Sequence, residues 1–179
     1  MVSIMAVLPL VVAPDPRLKK KAQSVERVDD TIRKQMDDML ETMYAENGLG
    51  LAAPQVGISN RVIVMDIARR DEEPIIFKMA NPEVIWESPE LKSYEEGCLS
   101  VPEHYADVER PARIKLRYLD YENEIREIEA DDVLAVCVQH EIDHLNGILF
   151  IDHLSALKRN IIARKLVKAK KAAAEPAAV

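Results

Sequence analysis

Gln139-His140-Glu141-Ile142-Asp143-His144 constrains this chain more than any other stretch. The residues before it, Val133-Leu134-Ala135-Val136-Cys137-Val138, contain neither Gly nor Pro, and Asp131-Asp132 ahead of them suit a helix N-terminus by capping and by the helix dipole. The pattern predicts a helix from about Asp132 to Leu145. Residues four apart lie one turn apart on a helix, so His140 and His144 can offer two imidazoles to one cation. Glu141, one step round, is offset so that it can reach a water on that cation without being a ligand. A single histidine on an apolar helix is ordinarily a core residue. Two of them with a glutamate between point to metal chemistry.

Two histidines leave a catalytic metal one protein ligand short. A longer metalloprotease pattern places a third histidine three residues after Gly147, where this chain has Phe150. Farther on, the donors are Asp152, His153 and Glu175, the last in an Ala-rich tail. The third ligand is therefore expected upstream. Glu96-Gly97-Cys98-Leu99-Ser100-Val101-Pro102 follows a strand-like run, and its Gly and Pro mark a loop of special backbone geometry. Cys98 is the better thiol. Cys137 shares a helix surface with both histidines, so it is poorly placed to complete a tetrahedron and is expected to line the site instead.

The chain's 179 residues, 48% hydrophobic and 31% charged, are ordinary for one globular domain. A formal charge of -7 argues against DNA as the partner of the domain as a whole. Two cysteines make no disulfide framework, and a reducing cytoplasm is the expected home. The apolar opening from Met1 to Ala13 lacks the positive start of a signal peptide and is broken by Pro9, and no run approaches the roughly 20 apolar residues of a membrane helix.

Along the chain, Pro9 to Val12 reads as a short edge segment turning at Pro14-Asp15-Pro16. Asp29 or Asp30 caps a helix whose stripe of Ile32, Met36, Met39, Leu40, Met43 and Tyr44 ends at Asn47-Gly48. Strand-like runs follow at 61–67, 75–79, 84–86, 91–94 and 113–119, with a hairpin turn at 120–124 into 125–129. Runs this close together pair antiparallel. The expected fold is α+β: a largely antiparallel sheet packed around the central metal-binding helix, with N-terminal and C-terminal helices, in a single domain over 1–172 and a disordered Ala-rich tail over 173–179. The last helix, about Ser155 to Ala172, carries seven positive charges and no acid between Lys158 and Lys171. It reads as a solvated face or as a surface for a polyanion such as ribosomal RNA.

Gly48-Leu49-Gly50-Leu51-Ala52-Ala53-Pro54-Gln55-Val56-Gly57 also does not read as scaffold: its small residues let backbone approach closely, and Gln55 offers an amide donor. Together the three stretches resemble the bacterial-type peptide deformylases, whose blocks Gly-x-Gly-x-Ala-Ala-x-Gln, Glu-Gly-Cys-Leu-Ser and Gln-His-Glu-x-Asp-His occur here in order at Gly48 to Gln55, Glu96 to Ser100 and Gln139 to His144. Pro14-Asp15-Pro16-Arg17-Leu18 belongs to the same likeness, which runs to about Leu154; Met5-Ala6-Val7-Leu8-Pro9 resembles the usual family beginning, so the four residues before it read as an extra start.

The resemblance implies Cys98, His140 and His144 as metal ligands and Glu141 as general acid/base. It implies Gln55 and the Leu99 backbone N–H as oxyanion donors, and Gly50 as substrate-binding backbone. Leu49 and Glu96, from the same blocks, are expected on the substrate side. Val133, Val136 and Cys137 precede His140 by seven, four and three residues, so they share its face and form an apolar wall suited to methionine. The implied reaction is removal of the N-formyl group from formyl-methionyl nascent peptides, with one divalent cation per chain, Fe²⁺ in the cell, replaceable by Zn²⁺, Ni²⁺ or Co²⁺. The rival enzyme is a zinc endopeptidase sharing the helix motif. A metal-stabilised module binding ribosomes through Lys158–Lys171 is the reading from another class.

Overall fold

The computed structural model describes residues 5–176. Its frame is a five-stranded antiparallel sheet in the order β1 (Gly50–Ala52), β2 (Val62–Asp66), β3 (Ile76–Glu87), β6 (Arg113–Leu119), β7 (Ile125–Asp131), beside a separate hairpin of β4 (Leu91–Cys98) and β5 (Val101–Pro111). Every strand pair is antiparallel. Three helices complete it: α1 (Asp30–Ala45), α2 (Asp132–Leu145) and α3 (Ala156–Ala174).

The sheet is covered on both faces, and β2 records this in one short run. Val62 and Val64 pack with Met36, Met39 and Met43 of α1, while Ile63 and Met65 pack with Ala135, Val138 and Leu145 of α2. Because successive side chains point to opposite faces, a strand buried on both has apolar residues in succession, here Val62 to Met65, and all five β2 residues are buried, the last being Asp66. α1 begins where Asp29 accepts the Ile32 N–H at 3.0 Å and ends at Ala45, after which Asn47, at φ 57°, turns the chain and Gly48 N–H closes on Met43 O.

Three local expectations are corrected. The runs at 75–79 and 84–86 are one strand: Asn81 (φ 50°) and Pro82 form a bulge that shifts the register between Ala80 and Glu83 without ending the pairing. The stretch from Glu96 to Pro102, expected as a loop, is mostly strand: Glu96 to Cys98 end β4, Val101 and Pro102 begin β5, and the turn is Leu99-Ser100, across which Cys98 pairs with Val101. Pro9 to Val12 is not a strand, although Val11 N–H reaches Gln55 O and Ala13 N–H reaches Ser100 O, stitching the N-terminal segment to two of the family blocks.

α2 spans the residues that its pattern predicts, but not through the expected cap. Asp131 makes no side-chain capping bond, and Asp132, at φ 43°, points its carboxylate to Lys92 and Tyr94 of β4 instead. Ala173 and Ala174 are helical, which removes the expected disorder from that part of the tail; 177–179 and the extra start at 1–4 lie outside the described residues. No helix among the described residues is long and apolar enough to cross a membrane.

Candidate active site

β1, the hairpin turn and α2 converge on a cleft of about 590 Å³ whose lining includes Leu49, Gly50, Gln55, Cys98, Leu99, Val133, Val136, Cys137, His140 and Glu141. The donor atoms of Cys98, His140 and His144 all lie within 4.8 Å of one another, with Cys98 Sγ 3.2 Å from His144 Nε2. A thiol and two imidazoles at that spacing, drawn from two separate elements, form a donor set that fits a transition metal. The histidine rings lie edge to face, 70° apart with centroids at 5.0 Å.

His140 is oriented from behind: its Nδ1–H donates to Glu96 Oε1 at 2.8 Å, leaving Nε2 for the cluster. Glu96 is itself gripped by Arg110, whose Nε and Nη2 donate to its two oxygens at 2.6 and 2.9 Å, with both side chains almost wholly buried. Glu96 also lines the cleft, with its carboxylate oxygens engaged by Arg110 and His140.

Glu141 is 4% exposed, and its Oε2 has no hydrogen-bond partner. Burial away from water pushes its carboxyl up to about 7. An orphaned, buried carboxylate oxygen beside a metal-type donor set is a costly arrangement for a scaffold and a useful one for a proton acceptor. Burial, together with neighbouring His140, holds His144 well below the ordinary histidine range, so its imidazole is neutral and able to ligate. Its Nδ1 is also unpartnered. Burial and the nearby Glu141 raise the Cys137 thiol, so Cys137 stays protonated as part of the apolar wall.

Gly50 lies so close to α2 that an added Cβ would meet Glu141 Oε1 at 2.6 Å and Cys137 Sγ at 2.9 Å. Only glycine lets this edge strand run past the acid/base position. Gln55 is held by the Ala52 N–H, which donates to its Oε1 at 2.9 Å; its Nε2 then points to Ser100 Oγ at 3.1 Å and Cys98 Sγ at 3.5 Å. The amide donor is thus aimed at the cluster before any ligand arrives.

Sequence reasoning missed Ser100, Arg110 and Asp143. Ser100 was within a recognised block and could have been found there. Arg110 sits in a strand that also carries Glu103, Asp107 and Glu109, and nothing local marks it as the one that turns inward.

A cleft with a Cys/His/His donor set and a buried, unpartnered carboxylate defines a metal-dependent hydrolase. The model of the polypeptide deformylase family matches residues 7–160. The chain is 57% identical over 169 residues to the peptide deformylase of Phenylobacterium zucineum, covering 94% of this chain and all of that one, and 53% identical over 164 residues to that of Bartonella henselae, covering 92% and 93%. The crystal structure of peptide deformylase from Ehrlichia chaffeensis in complex with actinonin superposes with a TM-score of 0.88 at 45% identity, covering 93% of this chain and 99% of that one. This chain belongs to the polypeptide deformylase family. The endopeptidase alternative finds no support among these relatives.

Proposed function

We propose that this chain hydrolyses the N-formyl group from the formyl-methionine that begins nascent polypeptides, releasing formate. The observation that carries the reading is the buried, unpartnered Glu141 carboxylate beside the Cys98, His140 and His144 donors in an open cleft. Those three residues would hold one divalent cation, Fe²⁺ in the cell, with Zn²⁺, Ni²⁺ or Co²⁺ able to replace it; two imidazoles and a thiolate suit all four. The cation supplies Lewis acidity when bound, lowering the pKa of water toward roughly 7 and polarising a carbonyl.

The chain's own residues do the rest. Glu141 accepts a proton from the attacking water as its oxygen bonds to the formyl carbon. Negative charge then develops on the formyl oxygen, and the Gln55 amide and the Leu99 N–H donate to it. As the carbon–nitrogen bond breaks, Glu141 returns its proton to the leaving amine, giving formate and a free N-terminus. Gly50 and Leu49 offer edge-strand backbone along which an extended peptide can lie. Val133, Val136 and Cys137 form the wall for the methionine side chain.

A cytoplasmic enzyme meeting its substrate at the ribosome fits the absence of a membrane-spanning helix among the described residues, and α3 offers the surface for such an encounter. Its basic residues are exposed apart from half-buried Arg159, and Leu166 alone is buried. Removal of 158–176 should weaken ribosome binding in a salt-dependent way; full retention would remove α3 from this role.

Formate release from formyl-Met-Ala-Ser by anaerobically purified protein tests the reaction, with an unformylated protein as control substrate and Cys98→Ala and Glu141→Ala as control enzymes. Release by the wild type and by neither variant is the expected result, with iron found by elemental analysis. A protein that holds metal yet releases no formate would overturn the reading.

A further inference from the structure

Gln139, Ile142, Asp143 and Asn146 recur at helical spacing on a second face of α2, and that face borders a separate polar cavity of about 730 Å³. Arg110 joins this cavity to the active site. While its Nε and Nη2 hold Glu96, its Nη1 donates to Asp143 Oδ2 at 2.9 Å, and the same oxygen accepts from His153 Nε2 at 2.7 Å. One continuous chain of contacts therefore runs from His140 through Glu96, Arg110 and Asp143 to His153, whose side chain is 36% exposed.

The links tie together elements that must agree for the donor set to form. Glu96 and Arg110 belong to the hairpin that carries Cys98, Asp143 belongs to the helix that carries both histidines, and His153 follows that helix in a short 3₁₀ turn. Arg110 is shared by two carboxylates, so Glu96 and Asp143 compete for it inside the protein, where an under-satisfied charge is costly. A second donor on Asp143 relieves that competition. With it, the guanidinium stays flat against Glu96, and Glu96 keeps His140 turned so that Nε2 faces Cys98 and His144.

We propose that His153 is a positioning residue for the metal centre, acting through Asp143, Arg110 and Glu96 to fix the His140 ring from outside the active site. The inference rests on the reading of Cys98, His140 and His144 as a metal site.

The test is the rate at which Co²⁺-loaded or Zn²⁺-loaded protein surrenders its metal to excess chelator, followed with the Co²⁺ absorption spectrum as a reporter of ligand geometry. Orienting partners of metal ligands are typically worth 10–100-fold in metal affinity or activity; a residue acting through three others should contribute less. His153→Phe is expected to lose metal about three- to tenfold faster, with an altered spectrum. His153→Gln, whose amide nitrogen can replace Nε2 as donor, should stay within about twofold of wild type. The metal-free His153→Phe protein should melt within about 2 °C of wild type, a shift corresponding to under about 1 kcal/mol in a chain of this size. In an Asp143→Asn background, His153→Phe should add little, because the two act in series.

Wild-type kinetics in His153→Phe, equal losses in the Phe and Gln variants, or full additivity with Asp143→Asn would overturn the inference while leaving deformylation intact. A fall in metal-free stability large enough to account for the faster loss would overturn it as well. A wild type that takes up no metal would overturn both this and the proposed function, whereas formate release alone separates the two.

Discussion

The five-stranded sheet and the β4–β5 hairpin use the same antiparallel pairing but meet α2 through different kinds of contact, apolar for the sheet and largely charged for the hairpin. β2 is buried on both faces and fixed by apolar contact with α1 and α2, where each fully buried Val, Ile or Met side chain is worth about 1.5–3 kcal/mol. The hairpin leaves much of itself in water, with Leu91 55% and Tyr105 68% exposed. One side of it packs through Val101 and Val108 on Val11, Phe150 and Ile151, and it is tied to α2 by Arg110 between Glu96 and Asp143 and by Lys92 and Tyr94 on Asp132. Apolar contact is non-directional and tolerates substitution by side chains of similar volume. Hydrogen-bonded charge pairs have one geometry. The sheet therefore supplies stability, and the hairpin supplies the fixed position of Cys98 relative to α2.

The two regions should fail differently under mutation, and the largest effect belongs to the site they enclose. Glu141→Gln should lower the rate of formate release by about 10²–10⁴-fold, the usual share of a general acid/base. It should also change how the metal-free protein responds to pH. The folded Glu141 carboxyl is raised from 4.5 to about 7, so between those values the folded state binds more protons at this group than the unfolded state does. Its contribution to stability then falls as pH rises through that window. Denaturation at pH 5 and pH 8 should reveal a decline in wild type that is smaller in Glu141→Gln; parallel curves would mean that Glu141 is not buried as described.

Arg110→Met should damage both stability and metal retention, since it leaves the Glu96 carboxylate buried without its partner. Breaking one side of a buried pair costs about 3–5 kcal/mol, and loosening the group behind a ligand should weaken metal affinity about 10–100-fold. Met39→Ala, on the sheet side, should cost about 2–5 kcal/mol in denaturant unfolding, with kcat/KM per folded molecule unchanged. If Met39→Ala also sped metal loss, the division between scaffold and site would collapse.

The same division decides what could be read from the sequence. β2 and β6 were legible because one opens with four successive apolar residues, Val62 to Met65, and the other alternates Ile114, Leu116 and Tyr118 inward against Arg113, Lys115 and Arg117 outward. β5 was not legible. It has a proline at each end, and its inward positions include the charged Arg110, so no apolar period marks it. β3 was cut in two because Asn81-Pro82 has the composition of a turn, although the sheet absorbs it as a bulge. At the site, His140, Glu141 and His144 follow from helical spacing alone, and Cys98 from what that helix lacks. The role of Glu96 depends on Arg110, 14 residues away across the hairpin, and on the His140 ring, 44 residues away. Partners at such separations are set by register and packing, which a local pattern does not encode.

The smallest effects should still separate the two regions, because α1 and α2 start differently. Asp29 caps α1 directly, so Asp29→Ala should cost about 1 kcal/mol in unfolding and leave metal retention untouched, since α1 carries none of the three donors of the cluster. Asp132 begins α2 at φ 43° and sends its carboxylate to Lys92 and Tyr94 on the hairpin. Asn tolerates that backbone region, so Asp132→Asn isolates the loss of charge. The pair with Lys92 is solvent-exposed, and pairs of that kind contribute at most about 1 kcal/mol, so the unfolding midpoint should barely move. Its trace should appear as faster metal loss to a chelator, since this contact helps hold the Cys98 hairpin against the helix that bears His140 and His144. Unchanged metal loss in Asp132→Asn would mean that this surface contact takes no part in positioning Cys98, and faster loss in Asp29→Ala would mean that scaffold and site are not independent.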